Sequence, residues 1–244
     1  MNNTNPLAGD TLVLTGTSVT KAIAEYIQKL GGQAVHLPLI EVVERTAEDH
    51  EKFIASMDAE WLIFTSQSAV RFFKQKLIRY GYTAAHWHGK VAVVGEKTAA
   101  ALSAIGFTID FMPSIYSADV FIKEFQPAIV EKCVFFRGNL AKSTIPDGLN
   151  CDVECYTVYD TVQTARHMPA LNELLTERVT IIFASPSAVE VFEAHKASKP
   201  YHVAAIGHIT KTALENAGEM NIIMPHTYTM RAVIDELVKQ KGTN

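Results

Sequence analysis

Short apolar runs alternate with segments of helical periodicity along most of the chain. Leu12 to Thr15, Gln33 to His36, Trp61 to Thr65, Val91 to Val94, Cys133 to Phe136, Val179 to Phe183 and Val203 to Ile206 read as strands. Ile40 to Val43, Ile109 to Met112, Val153 to Val162 and Ile222 to Met224 read as further extended segments. Between them, Ile23, Ile27 and Leu30 recur at helical spacing, as do Val70, Phe73 and Leu77, and a helix is expected over Asp49 to Met57. Gly31, Gly81 and Gly106 stand where helices should stop, because glycine accepts a left-handed C-terminal cap. Ser117 is placed to cap the helix carrying Val120, Phe121 and Phe125. Strands that alternate with helices in this way give parallel sheets flanked by helices, an α/β fold.

One stretch occurs twice. Phe64-Thr65-Ser66-Gln67-Ser68-Ala69-Val70 is echoed by Phe183-Ala184-Ser185-Pro186-Ser187-Ala188-Val189. Val91 to Thr98 and Val203 to Thr210 match in the same way, each with a glycine turn (Gly95, Gly207) and a threonine three residues on. Pro113 and Pro225 close the next pair of strands. Three motifs in one order at nearly constant spacing make an internal repeat. Its period is too long for a solenoid, so it implies two similar α/β domains. Taken alone it points to contiguous halves split near residue 128.

Composition narrows the functional classes. Net charge is −4, with 48% hydrophobic and 20% charged residues, as in an ordinary globular protein. No long cluster of Lys and Arg exists to neutralise a phosphate backbone, so nucleic acid is not the expected partner. Met1 to Asp10 has no charged-then-apolar leader pattern, and no apolar run approaches membrane-spanning length. Cys133, Cys151 and Cys155 cannot all pair, and Cys151-Val153-Cys155 reads as the inward face of a strand. A reducing cytoplasm is the simple reading.

In open parallel sheets, ligands bind beyond the carboxyl ends of the strands. The residues expected there are Thr15 to Ser18, Thr65 to Ser68, Gly95 to Thr98, Arg137 to Asn139, Ser185 to Ser187 and Gly207 to Thr210. These are hydroxyls, glycines and backbone N–H groups, with Lys97, Arg137, Lys142 and Lys211 as local cations. The serines are either plain helix caps or donors to an anion. Arg137 either pairs a carboxylate or caps a surface turn. There is no phosphate-binding Gly-x-x-x-x-Gly-Lys-Ser/Thr loop, dinucleotide fingerprint or nucleophile elbow. His86-x-His88 is the one close histidine pair and lacks nearby carboxylates for a metal site.

Phe64-Thr-Ser-x-x-Ala-Val, Val94-Gly-x-x-Thr, Pro113-x-x-Tyr116-Ser-Ala, Arg137-Gly, Val158-Tyr159-x-Thr161, Phe183-x-Ser-Pro-Ser and Ala205-Ile-Gly-x-x-Thr210 fall in order over nearly the whole chain. Together they resemble the uroporphyrinogen-III synthase family. The resemblance implies two similar parallel-sheet (flavodoxin-like) three-layer lobes, a two-stranded connector and a cleft between the lobes. It implies residues 1–38 with 164–244 as one lobe, 42–156 as an inserted lobe, and 39–41 with 157–163 as connector.

The implied reaction is cyclisation of hydroxymethylbilane, a linear tetrapyrrole polycarboxylate, to uroporphyrinogen III, with no cofactor or metal. Tyr159 matches the family tyrosine that projects into the cleft and is the candidate catalytic residue. Read without the family, it is a sheet tyrosine with a wet hydroxyl. Thr65, Ser66, Ser68, Gly95, Thr98, Arg137, Gly138, Ser185, Ser187, Gly207 and Thr210 are the candidate substrate-binding residues. Ile209 and Ala184 depart from the family pattern at hydroxyl positions. The resemblance also implies a cytoplasmic monomer and transient contact with the upstream hydroxymethylbilane-forming enzyme. A different class, a non-catalytic two-lobed binder of an anionic small molecule, fits the same inventory of residues.

Overall fold

The computed structural model describes residues 5–46 and 50–242. The chain divides into two compact units, one of Met1–Glu41 with Val162–Asn244 and one of Val42–Thr161. The first holds strands β1 (Thr11–Leu14), β2 (Gln33–His36), β8 (Val179–Phe183) and β9 (His202–Ala205) in the spatial order β2-β1-β8-β9. All three pairings are parallel. The second holds β4 (Trp61–Phe64), β5 (Lys90–Val93), β6 (Lys132–Gly138) and most of β7 (Asp152–Gln163), ordered β7-β6-β4-β5 and again parallel. β3 (Ile40–Glu44) lies outside β7. Arg45 N donates to Val158 O and Thr164 N to Leu39 O, both at 3.0 Å, so β3 and β7 run antiparallel.

The strands look continuously apolar because the sheets are covered on both faces. Alternation along each strand divides its side chains between two cores. In the second unit Leu62, Phe64, Val134 and Phe136 meet one face's helices, while Trp61, Ile63, Cys133 and Phe135 meet the other's. Helices α3 (Gln67–Tyr80) and α4 (Glu96–Ser103) supply Phe73, Leu77 and Leu102 to the first core. Helices α5 (Ala118–Glu124) and α6 (Thr144–Gly148) supply Phe121 and Ile145 to the second. The first unit repeats the plan: α7 (Met168–Leu174), α8 (Pro186–His195) and α9 (His208–Asn216) cover one face. On its other face lie α1 (Lys21–Lys29), with Ile27, and α10 (Met230–Gly242), with Val233, Ile234 and Leu237. Each layer buries side chains worth roughly 1.5–3 kcal/mol apiece.

The expected strands at Ile109–Met112 and Ile222–Met224 shrink to single bridges, Ala92 with Phe111 and Ala204 with Ile223. The cause is local. Each segment sits at a sheet edge, and Pro113 or Pro225 removes the N–H that the next ladder step would need. The expected helix over Asp49–Met57 is α2 (His50–Ser56), and Asp49 itself lies outside the described residues. With the bridges counted, the units share one spatial order but enter it at different strands. β1 and β2 of the first unit occupy the places of β6 and β7 in the second, β8 and β9 those of β4 and β5. The chain repeat therefore relates circularly permuted units, and the contiguous halves suggested by its period do not exist as folded units.

A buried cation fastens α3 to β3. Lys76 is 0% exposed, and its Nζ lies 2.9 Å from Arg45 O and 3.8 Å from Glu44 Oε1. Glu44 also accepts both Arg79 guanidinium nitrogens at 2.7 Å, and that pairing raises the Arg79 pKa. Removing one partner of such a pair leaves a charge uncompensated in low dielectric. Glu44→Ala should therefore destabilise the protein by about 3 kcal/mol. A urea-unfolding midpoint equal to wild type would contradict this.

Candidate active site

The strand-end turns form from local chemistry. Ser66 is the N-cap of α3, and its Oγ accepts from Ala69 N at 3.1 Å; Ser185 caps α8 the same way, from Ala188 N at 3.4 Å. Thr15, expected at the rim, is wholly buried, and its Oγ1 donates to Ile182 O at 2.9 Å. It ties β1 to β8.

Tyr159 is half-buried, with its hydroxyl 3.3 Å from Ser66 Oγ and its ring stacked on Phe72 at 5.5 Å. Two features place it there. The β6–β7 register shifts between Arg137 and Gly138, so Arg137 faces Thr157 and Gly138 faces Tyr159. Tyr156, Val158 and Tyr159 consequently all reach the same core, which strict alternation forbids. A β-carbon on Gly138 would stand 2.4 Å from Tyr159 Cζ, so only glycine leaves room for the ring. The tyrosine thus touches the first copy of the repeated stretch.

Other expected residues are distributed over each unit. Thr65 lines a cavity of about 240 Å³ with Tyr116, Lys142 and Thr144. Ser68, in the first turn of α3, faces instead a groove between α3 and α4 with Arg71 and Lys74, apart from the Tyr159 cluster. Arg137 is tied to its own loop: the guanidinium donates to Ala141 O and lies 3.7 Å from Cys155 Sγ. Gly95 and Gly207 are the N-caps of α4 and α9, without a capping side chain. Thr98 and Thr210 lie in the first turns and are buried. Ser187 lies in the first turn of α8, and its carbonyl accepts from Gln163. Ser185, Gly207 and Thr210 line one cavity of about 250 Å³.

Two further tyrosines matter, Tyr116, quoted in the sequence only within a motif, and Tyr228, which the sequence reading did not single out. Tyr116 packs over Gly95 and donates to Glu96 Oε1 at 2.5 Å; Tyr228 packs over Gly207 and meets His208 Nδ1 at 3.1 Å. The signal was Pro-x-x-Tyr-Ser/Thr at both Pro113 and Pro225. The partners, Glu96 and His208, occupy equivalent first helical positions.

Among the described residues no group of three His, Cys, Asp or Glu side chains could hold a metal ion. His86 is used locally, its Nδ1 accepting from Thr83 N at 3.0 Å. Cys133 and Cys151 are free thiols 3.4 Å apart, and burial pushes the Cys133 thiol pKa up.

The family model for uroporphyrinogen-III synthase HemD matches residues 21–242. The chain belongs to the uroporphyrinogen-III synthase family. This family comprises cyclising lyases of porphyrin biosynthesis. A candidate uroporphyrinogen-III synthase of Methanothermobacter thermautotrophicus is 29% identical over 238 residues, covering 89% of this chain and 93% of that protein. A uroporphyrinogen-III synthase of Synechococcus elongatus is 28% identical over 136 residues, and that match spans about half of each chain, 54% here and 52% there. The crystal structure of uroporphyrinogen-III synthetase from Helicobacter pylori superposes with a TM-score of 0.65 over 95% of this chain and 99% of that one, at 15% identity. The α/β fold expected from the strand–helix alternation is thus the fold of the uroporphyrinogen-III synthases. Among the described residues no helix is long and apolar enough to cross a membrane.

Gly138→Ala should push the Tyr159 ring off Ser66 and cost about 1–3 kcal/mol of stability by overpacking. Thermal unfolding and the Tyr159 ring proton shifts report both effects; wild-type values in both would show that the close approach does not constrain the ring.

Proposed function

We propose that this protein cyclises hydroxymethylbilane to uroporphyrinogen III with loss of water and inversion of the last ring. The observation that carries the reading is the family match over residues 21–242. The half-buried Tyr159, with its hydroxyl beside Ser66, and the hydroxyls and N–H groups at the strand ends of each unit support it.

The chemistry asks little beyond shape control. The terminal pyrrole nitrogen expels the hydroxyl of the hydroxymethyl group and keeps its proton, leaving an electrophilic azafulvenium cation. Tyr159 donates its phenolic proton to the departing oxygen, which leaves as water, and Ser66 orients the phenol. The substituted carbon of the last ring attacks and forms a spiro intermediate. That intermediate fragments and recloses with the ring inverted, and a pyrrole-carbon proton is lost to restore aromaticity and the phenol. Without a template the electrophile closes at the nearest free carbon and gives isomer I. Holding the chain so that the substituted carbon attacks is positioning catalysis.

The acetate and propionate groups of the substrate need many donors, and we place them on Thr65, Ser66, Ser185, Ser187, Gly207 and Thr210, with Gly95 and Thr98, beside the Glu96 carboxylate, left to its uncharged parts. Ser68 and Arg137 would reach a carboxylate only at the edge of that set. A cytoplasmic monomer that takes the unstable bilane from the enzyme that forms it belongs to the same proposal.

The test is to supply hydroxymethylbilane, oxidise the products and separate the porphyrin isomers. Isomer III in excess is the expected product; isomer I alone, as in buffer, would refute the reading. Tyr159→Phe should lower kcat by about 100-fold with unchanged unfolding temperature. Undiminished kcat would remove Tyr159 from the acid role.

A further inference from the structure

The two units offer equivalent helix N-termini, α4 and α9, but furnish them with opposite chemistry. At α9 the N–H groups of His208, Ile209 and Thr210 donate to nothing among the described residues, and the first turn holds no acidic residue. Thr210 is 4% exposed, and among the described residues its hydroxyl has no partner. It lines the cavity of about 250 Å³ with Ser185, Gly207, His208 and Tyr228. An unpartnered hydroxyl on a side chain only 4% exposed, lining a cavity beside free N–H groups, points to an acceptor ligand that completes both.

At α4 the same place is taken. Glu96, the first helical residue, puts a carboxylate at the N-terminus, and Tyr116 donates to it at 2.5 Å. Thr98 N already bonds Gly95 O at 3.0 Å. The α4 terminus is neutralised from within and would repel a second carboxylate.

His208 stands where Glu96 stands. Its ring lies 5.5 Å from that of Tyr228, and the Tyr228 hydroxyl meets Nδ1 at 3.1 Å. When that hydroxyl donates to Nδ1, the ring proton rests on Nε2, which has no partner among the described residues and is a donor for a ligand. Tyr228 is fixed in turn by lying on Gly207, where a β-carbon would come within 3.2 Å of its Cγ. Lys211 is paired with Glu215 at 3.3 Å and does not line this cavity, whereas His208 does.

We propose that His208, steered by Tyr228, is a specificity residue that makes the α9 N-terminus a carboxylate subsite, while Glu96 closes the equivalent α4 N-terminus to carboxylates. The proposal rests on the polycarboxylate substrate of the reading above and divides its binding unequally between the two units. His208→Glu installs the α4 chemistry at α9. It should raise KM for hydroxymethylbilane about tenfold, with kcat, the isomer formed and the unfolding temperature unchanged.

Sodium propionate, titrated into the ¹⁵N-labelled protein, gives a readout that needs no turnover. The amides of His208, Ile209 and Thr210 should shift on titration, those of Glu96, Lys97 and Thr98 should not, and His208→Glu should abolish the α9 response. Equal shifts at both helices, no shift at α9, or an unchanged KM in His208→Glu would each overturn the proposal. A wild-type protein that makes only isomer I would instead refute the synthase reading, leaving the propionate result to stand or fall alone.

Discussion

The missing β-carbon of Gly138 is the constraint on which the candidate site depends. Parallel strands bring β6 and β7 side by side, and the one-residue shift in their register turns Tyr159 toward the core that holds Phe72 and Tyr156. The tip of the ring then sits over Gly138, the one glycine of β6, with Cζ 2.4 Å from where a β-carbon would stand. Its hydroxyl is left beside Ser66, the residue that starts α3. Strand pairing, a bulge, a glycine and a helix cap converge on one phenol. Two of these, the bulge and the glycine, weaken a strand on their own, so the seating of the phenol is held against a local cost.

The two units are variations on one plan, and their differences carry as much as the plan. Both cover a parallel sheet on two faces, both start a helix from a capping serine, and both lay a tyrosine over a glycine N-cap. The second unit packs with aromatic rings, Phe64 stacked on Phe136 at 5.0 Å with Phe73 against both. The first relies more on aliphatic side chains around Phe183 and Phe192. The acidic and imidazole partners of the paired tyrosines separate the units further. Two copies of one architecture thus present different chemistry at their helix starts.

What was legible in the sequence was local. Ser66, Ser185 and Ser117 could be read as caps because a cap is decided by a side chain and an amide three residues away. The α/β alternation was legible for the same reason, since burial on both faces leaves unbroken apolar runs such as Val179–Phe183. Long-range facts were not. The circular permutation depends on which strands pair, and the repeat spacing alone suggested contiguous halves. The register shift at Arg137–Gly138 needs two strands to exist, so the contact between Tyr159 and the first serine turn could not be read from spacing. Ile109–Met112 and Ile222–Met224 had strand-like composition, but an edge position followed by proline left each a single bridge.

The central claim, that a glycine-seated Tyr159 meets the reacting end of a bound tetrapyrrole, is tested most directly by a crystal structure with uroporphyrinogen III bound under anaerobic conditions. The account predicts the Tyr159 hydroxyl within hydrogen-bond distance of the macrocycle beside the inverted ring, with Ser66 still behind it. A macrocycle held elsewhere, with that hydroxyl facing only Ser66 and solvent, would contradict it.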